Sequence, residues 1–187
     1  MLHPGTRLVL LWTVLLALWL VYREGQPNLL EYRLVDLARG AGIGLGIGTP
    51  LLAVAYRPLA TAVPILYVGT RGIASREPVS AGTLAFVSLV LLAPLAEELF
   101  FRDILHKERG FWVGTGLYAA AGILFFVPTA GQFLAVLFAV SGATAVLGIL
   151  YGFLYERLGS ATTIACHATV NLIVLFVPVI LSGLIST

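Results

Sequence analysis

The chain has 187 residues, of which 59% are hydrophobic and 11% charged, with a formal net charge of +2; its mean hydropathy is +1.00. Soluble domains carry about 25% charged residues, so this composition excludes a water-soluble globule, a disordered chain and a charge-driven nucleic-acid binder, and the single cysteine excludes an internal disulfide. What remains is an integral membrane protein, and its nine acidic residues become the informative ones, because an acid inside a bilayer is expensive.

A helical crossing takes about 20 mostly apolar residues. The first candidate runs from Leu8 to Tyr22, between Arg7 and Arg23. Its length and basic start also fit a signal peptide. The residues that follow, Arg23-Glu24-Gly25-Gln26, lack a small-x-small cleavage site, which favours a retained span or signal anchor. Arg23 to Arg39 carries six charges and reads as an interfacial amphipathic helix or an ordered loop. Gly40 to Tyr56 is uncharged, with glycines at 40, 42, 44, 46 and 48 whose spacing permits close helix approach. It has neither the spacing nor the preceding strand of a nucleotide fingerprint. Arg57-Pro58 is expected to break this run, leaving Pro58 to Thr70 as a short second leg, and Arg71 to Glu77 reads as a polar loop.

Pro78 to Ala96 is a second uncharged run, and it ends abruptly in Glu97-Glu98. The charged stretch that follows closes at Gly110. Gly110 to Tyr155 contains no formal charge and is expected to be two spans parted near Pro128-Thr129-Ala130-Gly131-Gln132. Glu156-Arg157 reads as a charged turn, and Leu158 onward as a last span with His167 inside it. The expected fold is all-α: a polytopic transmembrane helical bundle of six or seven spans in one membrane domain. Residues 1–77 would supply N-terminal spans and an interfacial segment, and residues 78–187 a four-helix core. The Arg and Lys distribution does not fix the orientation.

Two polar clusters break the apolar rule. On a helix Glu98 and Arg102 are four apart and share a face, so they can pair, while Glu97 points about 100 degrees away. That division leaves Glu98 a structural anion and Glu97 a carboxylate suited to general-base work on a water. The competing reading puts all three at a helix end among headgroups. His167 and Asn171 are also four apart, in a span without formal charge. Together they can point two donors at one spot, as an oxyanion requires. The competing reading is an interhelical clamp, with Asn171 bonding a neighbouring backbone.

Glu-Glu-x-x-x-Arg at the end of one span, followed by His-x-x-x-Asn in a later one, resembles the CAAX protease and bacteriocin-processing (CPBP/Abi) family of glutamic-type intramembrane endopeptidases. The resemblance covers Pro78 to the C-terminus. It implies that Glu97 activates the hydrolytic water, that Glu98 and Arg102 hold the helix in place, and that His167 and Asn171 stabilise the oxyanion. It further implies a membrane-embedded endopeptidase needing no cofactor and no metal, acting on a membrane-anchored protein or peptide within the lipid bilayer. The ratio of ten arginines to one lysine points to a GC-rich bacterial genome and hence to the bacterial inner (cytoplasmic) membrane.

One element departs from the family pattern. A Phe-x-x-x-His element is expected between the two motifs, and the best match is Phe125-Phe126-Val127-Pro128-Thr129, with Thr129 in place of the histidine. Threonine can hydrogen-bond a water but cannot take its proton near neutral pH. The alternatives are therefore a protease resting on Glu97 alone and a catalytically silent relative, either a membrane scaffold or an immunity protein against a peptide toxin. His106, one turn beyond Arg102, is a further candidate for the site. Cys166 beside His167 raises a thiol mechanism, although adjacent helix positions diverge and a lone cysteine is usually a small apolar residue. Glu97, Glu98, His167 and His106 could also offer ligands to zinc, but there is no His-Glu-x-x-His element and Arg102 opposes a cation.

Overall fold

The computed structural model describes residues 4–22, 33–63, 86–126, 134–178 and 180–181. Every element among them is helical. Helix α1 is Pro4–Tyr22 and α2 is Leu34–Val63. Helix α3 is one continuous rod over 87–109 that alternates between two geometries. Val87–Leu92 and Leu99–His106 are wound as wide π turns, and the α-helical stretch Ala93–Glu98 lies between them. Helices α4 (Phe111–Phe126) and α5 (Leu134–Leu158) follow, and α6 (Ser160–Asn171) continues as π turns over Leu172–Phe176.

Three expectations about boundaries change. Helix α2 runs on through Arg57 and Pro58 to Val63, where a break was expected. A proline removes one backbone donor, and neighbouring groups in an apolar setting can make this good without ending the helix. Glu97 and Glu98 lie in the middle of α3 rather than at its end. Glu156 and Arg157 likewise belong to the last turn of α5, and the chain turns at Gly159 instead.

Among the described residues two tight connections pivot on a glycine with positive φ, Gly110 (+88°) and Gly159 (+83°), a conformation that a Cβ makes costly. Each pivot folds two helices back to back, so residues equally far from it meet. Arg102 and Tyr118, both eight positions from Gly110, come together, with the guanidinium 4.6 Å from the ring centroid. Tyr151 and His167, both eight positions from Gly159, stack at 4.5 Å with their planes 22° apart.

Helix α2 lies along α6 through the glycine stripe noted in the sequence. A Cβ on Gly44 would stand 2.7 Å from the Cys166 carbonyl oxygen, and Gly40 and Gly48 face Thr162 and Ile173 in the same way. Gly42 and Gly46, on the other side, meet nothing within 4 Å. Helix α1 turns Trp12, Leu15 and Trp19 inward, and Trp12 and Leu15 pack with Leu89, Ala93, Ala96 and Phe101.

The polarity of the molecule is inverted relative to a soluble globule. Val54 is 89% exposed and Trp112 74%, whereas Glu98 and Arg102 are both fully buried. Large exposed apolar surface needs a non-aqueous neighbour. Among the described residues one helical stretch, Leu34–Arg57, is long and apolar enough to cross a membrane by length and composition, and Val9–Tyr22 and Ser160–Phe176 are shorter apolar helices.

Candidate active site

The two motifs meet in the interior. Helices α3 and α6 are neighbours, and their polar faces are joined through Glu98. Its Oε1 lies 2.8 Å from His167 Nδ1, and its Oε2 lies 3.4 Å from Arg102 Nε. The Arg102 Nη2 donates to the Gly148 carbonyl of α5 at 3.1 Å. Glu98 and Arg102 thus form the i,i+4 pair that their spacing predicts. The additional bond to His167 ties α3 to α6, and the spacing did not reveal it.

That bond also fixes the imidazole. An ionised carboxylate only accepts hydrogen bonds, so Nδ1 carries a proton toward Glu98, as histidines oriented by a carboxylate generally do. Nε2 is left facing Glu97, whose Oε2 is 3.9 Å away. Tyr151 stacks on one face of the ring, and the Tyr118 ring stands edge-on 6.3 Å away. The imidazole is therefore held in position, with Nδ1 at Glu98 and Nε2 toward Glu97.

Glu97 differs from Glu98 in two respects. Its side chain is 21% exposed, where that of Glu98 is 0%, so it is the carboxylate of the pair that a small molecule can reach. Its Oε1 accepts a 2.8 Å hydrogen bond from Trp12 Nε1 of α1. Sequence reading missed this partner, because a tryptophan in an apolar span looks like packing.

Asn171 is engaged elsewhere. Its Nδ2 donates to the Leu89 carbonyl at 2.9 Å, and the local winding explains why that oxygen is free. In the π turns of α3 the Ala93 N–H bonds Ser88 O, five residues back. In that register the next donor, to Leu89 O, would be residue 94, which is a proline without an N–H. Asn171 fills the gap. This is the interhelical clamp weighed as its alternative role, and it leaves the second amide N–H uncommitted by this bond.

The remaining sequence candidates stand apart. His106 is about two turns beyond Glu98 on α3. There its Nε2 lies 3.1 Å from Glu156 Oε1, and its ring meets Phe111 and Tyr155 edge-on or tilted. Beside it Tyr155 Oη donates to Asp103 Oδ1 at 2.8 Å, and Lys107 pairs with the same oxygen at 3.6 Å. Cys166 is fully buried and packs with Tyr151 and Val170, while the His167 nitrogens are directed at the two glutamates. Thr129 lies outside the described residues. Among the described residues no group of three His, Cys, Asp or Glu side chains is placed to hold a metal ion.

Comparison with known families matches residues 79–173 to the type II CAAX prenyl endopeptidase Rce1-like family. The matched segment runs from the approach to α3 into the π turns that end α6, and so contains both motifs. No curated protein and no solved structure matches the chain.

Proposed function

The chain belongs to the type II CAAX prenyl endopeptidase Rce1-like family, and from that membership we propose that it is a membrane-embedded endopeptidase in which Glu97 activates the attacking water. The observation that carries this reading is the imidazole of His167 set between two unlike carboxylates. Glu98 is buried and charge-compensated by Arg102; Glu97 is partly exposed and faces the other ring nitrogen. The catalytic core is residues 78–187 of a polytopic bundle, and the apolar exterior supports its placement in a bilayer. We assign it to the bacterial inner membrane on composition.

In the proposed cycle a water sits on Glu97 Oε2. Glu97 takes one proton as the water oxygen attacks the scissile carbonyl carbon. His167, held at Nδ1 by Glu98, is one donor to the developing oxyanion. The second N–H of Asn171 is the other donor. Preorganised donors in a water-poor site are worth about 10²–10³ in rate each. Collapse of the tetrahedral intermediate breaks the C–N bond, and Glu97 returns its proton to the leaving amine. The free acid and amine depart, and the carboxylate is regenerated. The substrate is a membrane-tethered protein or peptide.

The test uses purified protein in lipid bicelles and an internally quenched farnesylated Cys-aliphatic-aliphatic-X peptide. Wild type should cut it, and Glu97→Gln should abolish cutting while keeping the helical circular dichroism and melting of wild type. A Glu97→Gln protein that cuts as well as wild type overturns the mechanism. Thr129 in place of the family's histidine favours a second reading, a catalytically silent relative that binds tethered peptides. Wild type that binds the farnesylated peptide with no turnover would establish it.

A further inference from the structure

The family match begins at residue 79, yet one of the closest polar contacts in the site comes from residue 12. We propose that Trp12 is a positioning residue: its indole N–H fixes the Glu97 carboxylate so that Oε2 is the oxygen turned toward His167, and helix α1 is thereby part of the working site. This inference rests on reading Glu97 as the base.

A glutamate in mid-helix has three rotatable side-chain bonds, and its carboxylate can present either oxygen. Glu98 is pinned on both sides by Arg102 and His167. Glu97 has no such anchor on its own helix, and its 2.8 Å bond is to Trp12. An indole nitrogen can only donate, and a hydrogen bond to an ionised carboxylate is shorter and stronger than a neutral one. The contact therefore reserves Oε1, leaving Oε2 for the water.

Trp12 is itself immobilised. It is 3% exposed and packs with Leu89, Ala93, Ala96, Phe101, Tyr118 and Leu175. Ala93 and Ala96 are the small residues on α3 that let an indole lie this close to the helix. The inward residues of α1, at 12, 15 and 19, form one stripe, so docking of the stripe and placement of the N–H are a single event. Misplacing a reacting group by about 1 Å can cost about 10²-fold in rate, which gives the contact its consequence.

The experiment replaces Trp12 in the full chain with β-(3-benzothienyl)alanine, which keeps the shape of tryptophan and lacks the N–H. Trp12→Phe is the genetically simpler companion. With the quenched farnesylated peptide in bicelles, the isostere should lower kcat about tenfold to a hundredfold with KM unchanged, well beyond what the small fall in melting temperature from one lost hydrogen bond accounts for. A turnover-independent arm follows the indole N–H resonances of the three tryptophans in ¹⁵N-labelled protein. The Trp12 signal should move upfield in Glu97→Gln while those of Trp19 and Trp112 stay.

Four outcomes divide the possibilities. If Glu97→Gln is inactive and the isostere has wild-type kcat, the positioning role is wrong and the Glu97 mechanism stands. If Glu97→Gln is fully active, both fall. If the isostere loses activity only in proportion to a lowered melting temperature, Trp12 is packing and the proposal is overturned. If wild type cuts no probe, a Trp12 resonance indifferent to Glu97→Gln overturns it.

Discussion

Arg102→Met isolates the energetics of the buried polar core. Both Arg102 and Glu98 have no exposed surface, and their charged atoms are 3.4 Å apart. At an effective dielectric of about 20, attraction at that distance is about 5 kcal/mol, and deleting one partner of a buried pair typically costs about 3–5 kcal/mol because the other charge stays buried. The lower end applies here. The two residues share a helix, so their pairing persists wherever α3 stays helical in the unfolded state, and only the folded state traps an uncompensated Glu98. Methionine also fills much of the volume against Tyr118. The expected loss is therefore about 3 kcal/mol, a fall of about 10 °C in melting for a chain of this size. Unfolding in bicelles followed by circular dichroism measures it. Adding Glu98→Gln should recover about 1–3 kcal/mol, because the trapped charge is gone while Gln still accepts the His167 Nδ1–H. A loss below about 1 kcal/mol, or strictly additive single and double variants, would refute an energetically coupled pair.

Three further outcomes follow from the same structure. Gly159→Ala should cost about 1–3 kcal/mol, since φ +83° with extended ψ is a conformation open almost solely to glycine, whereas Gly42→Ala, where a Cβ meets nothing within 4 Å, should be neutral or stabilising by up to about 1 kcal/mol; equal effects in thermal melting would contradict the pivot. Asn171→Ala should cost about 1–3 kcal/mol by stranding the Leu89 carbonyl, and less when Pro94→Ala restores a backbone donor at that position, a non-additivity that a double-mutant cycle reads directly. Cys166→Ala should leave peptide cutting within about twofold of wild type, and loss of turnover without loss of folding would instead support a thiol nucleophile.

What the sequence made legible followed from one-dimensional rules. The i,i+4 pairing of Glu98 with Arg102 depends on helical spacing alone and appears as read, while the close approach expected of the five glycines from 40 to 48 is made by Gly40, Gly44 and Gly48 and not by Gly42 or Gly46. The stop at Gly110 was equally visible, while the break expected near Pro128 to Gln132 lies outside the described residues. The meeting of the Glu-Glu-x-x-x-Arg and His-x-x-x-Asn motifs came through family resemblance rather than spacing, since nothing local in the sequence says that α3 and α6 are neighbours. The placement of Glu97 and Glu98 at a span end was misread for a physical reason. Along a sequence a charge marks the boundary of an apolar segment, whereas in an interior closed by Arg102, His167 and Trp12 it marks the middle of one.

The contacts that escaped the sequence share a cause. Wide turns carry no residue signature, so the π winding at Val87–Leu92 was invisible, and with it the orphaned Leu89 carbonyl that Asn171 satisfies. A histidine's partner is likewise set by which helices are adjacent, and Glu98 is 69 positions away from His167. Trp12 is the extreme case, 85 positions from Glu97 and outside the matched family segment. In water such an indole would count as apolar bulk with an incidental donor. In a dry interior a donor aimed at a carboxylate oxygen lowers the cost of keeping that charge there. The same logic explains why the polar residues of this chain are few but grouped: each buried charge is tolerable only beside another group that answers it, so the site is assembled from whichever helices can bring one.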